Sequence, residues 1–410
     1  MDCNCLVATA RTGVSPWVKI ATMATVESKA GIHLRTNWAE VSLRTLRNNF
    51  RSIVQRVAPA TVCAVIKCNA YGHGVVECGR ALEADGAKWF GVTATKEGAS
   101  IREAGIGGRI LLMTGFWRGE EAAVIGNRLT PAVWTLDHIE RLERALQARR
   151  AHGKLPVHLK IDTGMGRVGV PAAEAEPLAR RIAASEYVAL EGVFSHLASS
   201  EVLDADDAAA QIVRFNQVLA TLRAAGLEPP LRHLSNSAAI GGRADTWNTM
   251  VRPGLALYGY LPPFSAHAGV KLPAPIPVEP VLTWKTRIVS QREMPAGQAI
   301  GYNGTYVTKA PSRIAVIAAG YGDGFNRAMS NQGRVIVRDR YAPVIGRISM
   351  DLTTIDVTGV PGAEIGDEAL LIGRSEHCSV TAEDHAHWAG TIPYEITCGI
   401  NWRVPRVYLD

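Results

Sequence analysis

Between about residues 40 and 260, short apolar runs alternate along the chain with longer amphipathic segments. The apolar runs have the length of buried strands, and the amphipathic segments repeat their apolar residues at helical spacing. The predicted strands are 61–67, 89–94, 109–115, 129–135, 156–162, 190–196, 231–236 and a last one near 250–259. The helical pattern is strongest at 75–86, 96–105, 173–187 and 206–226.

Strands that alternate with helices predict a parallel sheet with right-handed crossovers. Eight such units over about 220 residues fit a closed eight-stranded barrel better than an open, doubly wound sheet. An open sheet that binds nucleotides usually carries a glycine-rich turn after its first strand. Here the first predicted strand is followed by KCNAYGHG, which does not match that turn. The pattern therefore predicts an α/β fold built on a (β/α)8 TIM-like barrel.

From residue 261 the pattern changes. Residues 261–280 are rich in proline, which cannot continue a helix or a central strand, and this stretch is interpreted as a linker. Short β-branched runs separated by Gly, Pro and Asp turns follow it and predict a mostly β domain. We expect a poorly ordered N-terminal extension over 1–32, a barrel domain over 33–270 and a C-terminal β domain over 271–410.

Composition narrows the class of protein. Hydrophobic residues make up 47% of the chain and charged residues 20%, which is typical of a globular protein. No run approaches the roughly 20 apolar residues of a membrane-spanning helix. The net charge of +6 is dispersed, and no nucleic-acid-binding motif accompanies it. We expect neither a membrane nor a nucleic-acid partner, and the cytoplasm is the default location.

Cysteine and histidine usage indicates neither a disulfide framework nor a metal site. The seven cysteines are an odd number scattered along the chain. A cluster of possible zinc ligands, Cys378 with His377, His385 and His387, lies in a polar stretch. Surface histidines are the favoured interpretation there, so we predict no metal.

In barrels of this type the active site lies at the carboxyl ends of the strands. The first predicted strand ends in Lys67, which is followed by Asn69, Tyr71, Gly72, His73 and Gly74. The later strand ends carry Asp162 and Arg167, His196, Asn236 and Ser237, and Arg252, Pro253 and Gly254.

Lys67 closes an apolar strand, and desolvation lowers the pKa of a lysine, which makes it a good Schiff-base nucleophile. A single lysine more often extends to solvent. Ser237 and Gly254 follow the last two strands, where this fold usually binds phosphate, although turn chemistry explains each equally well alone. A Schiff-base lysine and a phosphate pocket on one barrel mouth together indicate pyridoxal phosphate and leave the reaction open.

The segment AVIKCNAYGHG resembles the alanine racemases, and further motifs of that family follow in order over roughly residues 33–410. They are HLKIDTGMGRVG, FSHLASS, SNSAA, MVRPGLALYG, IGYNGTY, AAGYGDG, GRISMDLT and IPYEI. Cys68 stands where the family more often has alanine, Asn303 interrupts a usual Gly-Tyr-Gly, and Ser349 replaces a frequent cysteine.

The resemblance implies a homodimer in which each active site lies between one barrel and the partner's β domain. Lys67 would hold the cofactor as a Schiff base and remove the α-proton of the D-amino acid. Tyr302 of the partner chain would act on the L-enantiomer, since racemisation needs bases on opposite faces of a planar carbanion. Taken alone, Tyr302 is better interpreted as a cross-strand aromatic residue.

The resemblance also implies roles around these two bases. Arg252 would face the pyridine nitrogen, supported by His196, and Arg167 with the Met350 amide would bind the substrate carboxylate. Lys160 occupies a position that some members carry as an N-carboxylated lysine. The phosphate contacts would be Tyr71, Ser237, Gly254, Leu255 and Tyr394, and the substrate entrance would be Tyr321, Arg347 and Asp351.

The predicted function is interconversion of L- and D-alanine, supplying D-alanine for peptidoglycan. Alternatives on the same barrel are a broad-specificity or serine-preferring racemase and a basic-amino-acid decarboxylase, and Arg252 disfavours the decarboxylase because those enzymes place an acid at the ring nitrogen. A non-enzymatic alternative is a pyridoxal-phosphate homeostasis protein, which would lack the β domain. An inactive relative is disfavoured because all matched catalytic residues are present.

Overall fold

The computed structural model describes residues 36–150, 152–262, 264–266 and 272–410. The extension predicted for 1–32 lies outside these residues. The described chain begins with strand β1 (Asn37–Ser42) and helix α1 (Leu43–Val57). Helix α1 starts where the Ser42 hydroxyl accepts a hydrogen bond from the Thr45 amide at 3.1 Å.

Nine parallel strands form the first large sheet of the protein. They are β2 (Thr61–Val65), β3 (Trp89–Val92), β4 (Arg109–Leu112), β5 (Leu129–Val133), β6 (Leu155–Asp162), β7 (Val170–Pro171), β8 (Val188–Phe194), β9 (Leu231–His233) and β10 (Met250–Val251). The order is β10-β2-β3-β4-β5-β6-β8-β9, and the short β7 pairs with β6. Two hydrogen bonds join the open edges, from Thr249 N to the Arg232 carbonyl (3.1 Å) and from Arg252 N to the Ser235 carbonyl (3.0 Å). The predicted eight-stranded barrel is thereby confirmed.

Helices connect these strands around the outside of the barrel. They are α2 (Lys67–Tyr71), α3 (Val75–Ala84), α4 (Thr95–Glu103), α5 (Glu121–Gly126), α6 (Leu136–Ala148), α7 (Ala175–Ala183), α8 (Asp206–Ala224) and α9 (Ser237–Gly242). In α6, Ile139, Leu142 and Leu146 are buried at the 3/4 spacing that turns one face of a helix to a core. Helix α2 is different, because it is a single left-handed turn.

The last barrel strand is much shorter than predicted. The pattern indicated a strand near 250–259, but β10 ends at Val251. Pro253 cannot donate to a sheet, and residues Leu255–Tyr258 form a 3₁₀ turn. This early ending directs the backbone amides of the loop toward the barrel mouth.

The second half of the chain forms a mostly β part, as predicted. Its strands are β11 (Leu282–Met294), β12 (Ala299–Ile300), β13 (Tyr306–Val307), β14 (Ser312–Ile317), β15 (Arg334–Val337), β16 (Arg340–Pro343), β17 (Thr353–Asp356), β18 (Glu368–Arg374), β19 (Ser379–Val380) and β20 (Arg406–Leu409). Its helices are α10 (Ala382–Ala389) and α11 (Pro393–Gly399). The main sheet has the order β16-β15-β18-β11-β1-β20, with β14, β17 and β19 attached beside it.

Strand β1 belongs to this second sheet, although it falls within the stretch assigned to the barrel. It pairs antiparallel with β11 and parallel with β20. The Trp284 indole donates to the Asn37 side-chain oxygen at 2.6 Å in the same place. The chain therefore enters the barrel from the second sheet, and one continuous apolar core runs through both parts.

None of the helices in the described part of the chain is long and apolar enough to cross a membrane.

Candidate active site

A cavity opens at the carboxyl ends of the barrel strands and encloses about 720 Å³ of empty space, part of it open to solvent. Eleven of the residues singled out from sequence line it. They are Lys67, Tyr71, Lys160, Arg167, His196, Asn236, Ser237, Arg252, Gly254, Leu255 and Tyr394. Side chains that are far apart in sequence meet here because all parallel strands end at one rim of the barrel.

Lys67 lies where β2 passes into the left-handed turn α2. The next four residues, from Cys68 to Tyr71, all have φ between 52° and 53°, a conformation that costs energy for residues other than glycine. The Glu97 carboxylate supports the turn by accepting the Cys68 amide at 2.6 Å and the Thr93 amide at 3.0 Å. Burial, and then the positive charge of Arg167, lower the pKa of Lys67. A lysine in this position favours its neutral, nucleophilic form more than a free lysine does.

Ser237, Gly254 and Tyr71 form a small polar cradle on the opposite side. The Ser237 hydroxyl accepts the amides of Gly254 at 2.9 Å and Ala256 at 3.2 Å. A Cβ at residue 254 would collide with the Tyr71 hydroxyl oxygen. Only glycine therefore leaves room for the Tyr71 phenol beside this loop, and hydroxyl donors of this kind suit a phosphate.

The Tyr71 ring is held between two other tyrosines. Its centroid lies 5.0 Å from that of Tyr258 and 6.0 Å from that of Tyr394. Tyr258 is itself fixed, because its hydroxyl donates to the Val65 carbonyl at 3.1 Å. Burial raises the pKa of Tyr71 well above its usual value. Its hydroxyl therefore stays protonated and can donate a hydrogen bond.

Arg252 is buried and points along the floor of the cavity. It donates to the carbonyl oxygens of Ser195 (2.8 Å) and Leu234 (3.1 Å). Its other partners are two imidazoles, His233 Nδ1 at 2.9 Å and His196 Nδ1 at 3.4 Å. Burial lowers the pKa of Arg252 to about 10, so the guanidinium is still protonated at neutral pH.

His196 contacts Arg252, as predicted, but at the longer distance of 3.4 Å. The shorter hydrogen bond to Arg252 comes from His233. An arginine can only donate, so His233 Nδ1 accepts and the proton of His233 sits on Nε2. That nitrogen lies 2.9 Å from Nδ1 of His158, which accepts in turn. His158 then carries its proton on Nε2, 3.4 Å from a Glu191 oxygen.

The three histidines around Arg252, namely His158, His196 and His233, are neutral at physiological pH. Burial, followed by the charge of Arg252, lowers the pKa of His196 to about 3 and that of His233 well below its usual value. Burial also lowers the pKa of His158. The arginine is therefore held by neutral acceptors, which orient it without cancelling its positive charge.

Lys160 lies in the same interior, with Nζ 3.2 Å from the Met113 carbonyl and 5.1 Å from the centre of the Phe194 ring. Burial, together with the charges of Arg252 and Arg167, lowers the pKa of Lys160 to about 7. A substantial fraction of this amine is neutral at physiological pH. Neutral amines are the form that reacts with carbon dioxide, so the site is compatible with N-carboxylation.

Arg167 reaches the cavity from the turn that follows β6. The carboxylate of Asp162 shapes this turn by accepting the amides of Gly164 at 2.9 Å and Gly166 at 3.1 Å. Gly169 closes it with φ +134°, and a Cβ there would collide with the Asp162 backbone. The guanidinium of Arg167 is exposed at the mouth of the cavity.

Of the residues predicted from the second half of the sequence, Tyr394 lines the cavity of its own chain. The others do not line it; they are Tyr302, Tyr321, Arg347, Met350 and Asp351. Tyr302, Met350 and Tyr321 are 68%, 53% and 43% exposed. Tyr302 lies in a 3₁₀ turn rather than in a sheet, so the interpretation as a cross-strand aromatic is wrong.

These residues lie together on the surface of the β part. Tyr321 N donates to the Ser349 carbonyl at 2.9 Å, and Arg403 holds the Asp351 carboxylate at 2.7 Å. The loop of Tyr302 packs against that of Arg347, since a Cβ at Gly301 would lie 3.3 Å from the Arg347 amide. We call the exposed residues Tyr302, Tyr321, Met350 and Asp351 the β-domain patch.

Sequence reasoning missed His158, His233 and Glu97. The two histidines interrupt otherwise apolar strands, and this interruption was the available signal.

In the polar stretch near the C-terminus, His385 is fully buried and bonded to the Leu371 carbonyl at 2.8 Å. The surface interpretation is wrong for that residue, whereas His377 and His387 are exposed.

Comparison with known proteins agrees with this geometry. Residues 41–262 match the family model "Alanine racemase, N-terminal domain", and residues 281–408 match "Alanine racemase, C-terminal domain". The alanine racemase of Syntrophobacter fumaroxidans is 40% identical over 89% of this chain and 95% of its own. The crystal structure of alanine racemase from Streptomyces lavendulae has a TM-score of 0.83 at 35% identity, covering 91% of this chain and 97% of its own.

The crystal structure of alanine racemase from Bartonella henselae with covalently bound pyridoxal phosphate is also similar, with a TM-score of 0.80 at 30% identity. It covers 92% of this chain and 100% of its own.

Proposed function

Because the chain belongs to the alanine racemase family, we propose that it interconverts L-alanine and D-alanine with pyridoxal phosphate, by a mechanism that uses two bases. The protein is an isomerase. The main support for the cofactor and the two-base mechanism is one cavity at the barrel mouth. Its lining includes Lys67, Arg252 and the cradle of Tyr71, Ser237 and Gly254.

The residues present fit the cofactor. Gly254 leaves a cradle that any side chain would fill, and the hydroxyl groups of Tyr71 and Ser237 lie beside it. Such a cradle would hold the phosphate, with Tyr71 and Tyr394 as further donors and the Leu255 amide beside Gly254. Lys67 would hold the aldehyde carbon across the cavity. When bound, pyridoxal phosphate supplies an electron-withdrawing system that acidifies the α-proton of the amino acid.

Arg252 would face the ring nitrogen. Its guanidinium stays protonated and can only donate, so Arg252 would leave the ring nitrogen without a proton. Arg252 would thereby moderate the electron withdrawal of the cofactor and disfavour side reactions such as transamination. The neutral imidazoles of His233 and His196 hold Arg252 in this orientation.

Lys67 Nζ would accept the α-proton of D-alanine, and its lowered pKa suits a base that works near neutral pH. The opposite face needs a second base, for which we propose Tyr302. Arg167 would bind the substrate carboxylate, with the Met350 amide as a second donor. Tyr321, Arg347 and Asp351 would line the entrance.

Tyr302 and Met350 are exposed on the β-domain patch, so they would reach the cavity of a second copy of the chain. We therefore propose a homodimer with shared active sites. A protein of this kind pairs the same surfaces around a two-fold axis and forms two equal sites. The exposure of a tyrosine and a methionine on the loops of this patch supports a partner at this surface.

The enzyme would work in the cytoplasm and supply D-alanine for peptidoglycan. The chain would divide into an extension (1–32), a barrel domain (33–270) and a β domain (271–410). A broad-specificity racemase remains the second candidate, because Arg167 recognises a carboxylate that all amino acids share.

Absorbance and racemisation together test the proposal. The purified protein with added pyridoxal phosphate is expected to develop the absorbance band of a lysine Schiff base and to racemise L-alanine. The Lys67→Ala variant should lose the band and nearly all activity. The matched control Lys88→Ala changes an exposed lysine just before β3, which does not line the cavity, and should retain both. Absence of the band from the wild type would contradict the cofactor assignment, and faster turnover of serine, lysine or arginine would contradict the choice of alanine.

A further inference from the structure

Two cysteines from different halves of the chain meet beside the cavity. Cys68 follows Lys67 in the left-handed turn α2 of the barrel, and Cys398 lies in α11 of the β part. The turn and the helix touch, since a Cβ at Gly72 would lie 3.4 Å from the Cys398 Cα. The Cys68 thiol also raises the pKa of Cys398, an influence that acts only at short range. The two cysteines are thus neighbours in this fold.

The two thiols have different surroundings. Cys68 is exposed, whereas Cys398 is half-buried. Burial and the adjacent Cys68 raise the pKa of Cys398 to about 12, so Cys398 is a poor nucleophile in the resting protein. A solvent-borne oxidant reaches Cys68 first. Once Cys68 is oxidised, it no longer raises the pKa of its neighbour.

We propose that Cys68 and Cys398 form an oxidative modification site, a dithiol that a peroxide converts to a disulfide between the barrel and α11. In the first step the Cys68 sulfur attacks one oxygen of hydrogen peroxide, which gives a sulfenic acid and water. The Cys398 sulfur then attacks the Cys68 sulfur. The S–S bond forms, the S–O bond breaks, and the hydroxyl leaves as water with the proton of Cys398. A dithiol reductant reverses the modification.

The bridge would constrain the mouth of the cavity. It would tie the turn that carries Lys67 and Tyr71 to the helix that carries Tyr394, and all three residues line the cavity. The oxidised protein is therefore expected to admit pyridoxal phosphate several-fold more slowly than the reduced protein. This consequence rests on the proposed function, whereas formation of the bridge does not.

Peptide mapping of the full chain tests the bridge. After hydrogen peroxide treatment and alkylation of free thiols, mass spectrometry should find residues 68 and 398 in one cross-linked peptide, lighter by two hydrogen atoms and split by dithiothreitol. Cys378, which is half-buried and donates to the Asp339 carbonyl, should still be alkylated. Alkylation of both Cys68 and Cys398 after oxidation, or linkage of Cys68 to Cys3 or Cys5, would overturn the proposal.

Uptake of pyridoxal phosphate, followed by absorbance, tests the consequence. The wild type should take up the cofactor more slowly when oxidised, and dithiothreitol should restore the rate. The Cys398→Ser variant should show one rate in both states, and the control Cys378→Ser should behave as the wild type. Equal rates in a wild type that carries the bridge would overturn the gating role. Failure of the reduced protein to bind the cofactor at all would instead count against the proposed function.

Discussion

The barrel mouth and the β-domain patch are built in opposite ways. At the barrel mouth, Arg252 is 4% exposed and Lys160 is 5% exposed, and fixed hydrogen bonds orient both. On the patch, Tyr302 is 68% exposed and its turn is shaped mainly by glycine. One chain thus contains a finished half-site and an open half-site that does not face it. The difference is what the proposed homodimer would explain, because a second chain would bring an exposed patch to each barrel mouth.

The largest expected effect concerns the division of the site between chains. Tyr302→Phe should lower the rate of α-proton exchange from L-alanine by roughly 10²–10⁴-fold, which is the usual contribution of a positioned base. Exchange from D-alanine, which depends on Lys67, should fall much less. Isotope exchange from each enantiomer, measured by NMR, checks this asymmetry.

Mixing two inactive variants tests whether each site takes residues from two chains. If the site is shared, a Lys67→Ala chain and a Tyr302→Phe chain form mixed dimers with one intact site each. Random exchange of subunits should then restore about a quarter of the wild-type activity. Each variant alone serves as the control, and no recovery after refolding them together would contradict sharing between chains.

The next effect concerns the free energy of unfolding in mild acid. Burial, with nearby positive charge, lowers the pKa of His196 to about 3, and burial lowers that of His73 to about 4. The unfolded chain takes up these protons at about 6.5, so the penalty is absent above pH 6.5 and grows as the pH falls. Each such histidine should cost about 1.4 kcal/mol of stability per pH unit below that value.

Urea unfolding between pH 6.5 and 5 measures this slope while most carboxylates are still ionised. The exposed His152 offers a control, because His152→Gln should leave the slope unchanged. Acid is thus expected to act through the buried barrel interior, where the neutral histidines lie, and not through the exposed patch. A flat profile over this range would contradict the assignment of neutral histidines to the folded barrel.

The smallest effect concerns the cradle. Gly254→Ala places a methyl group against the Tyr71 hydroxyl, and overpacking of this kind costs about 1–3 kcal/mol, or roughly tenfold to a hundredfold in affinity for pyridoxal phosphate. An absorbance titration measures the change. Gly359→Ala, which adds a methyl group in open space, is the matched control. Equal affinities in the two variants would argue against the cradle as the phosphate site.

Several parts of the fold and site were predictable for reasons of local chemistry. Period and length of the apolar runs predicted the barrel, because buried parallel strands need uninterrupted apolar residues. The positions of Lys67, Ser237 and Gly254 followed from the rule that strand ends share one rim. Pro253 marked the early end of β10, but the apolar residues after it concealed that signal.

Other parts could not be predicted because they depend on contacts between distant segments. Strand β1 pairs with β11 and β20, more than 200 residues away in sequence, and its alternating pattern does not specify those partners. The contact of His233 with Arg252 needs the closure of the barrel, and that of Cys68 with Cys398 needs the docking of α11. None of these has a local signal.

By itself the sequence determined the family, the barrel with its β part, and the identity of the groups that carry chemistry, because periodicity and motif spacing are properties of neighbouring residues. Tertiary structure decided the electrostatics of those groups and which of them meet. Burial lowers the pKa of Lys160 to about 7 and keeps Arg252 charged among neutral imidazoles. The fold also leaves Tyr302 exposed and outside the cavity of its own chain. Distances and desolvation between remote segments arise only when the chain is folded, and they determine what each residue can do.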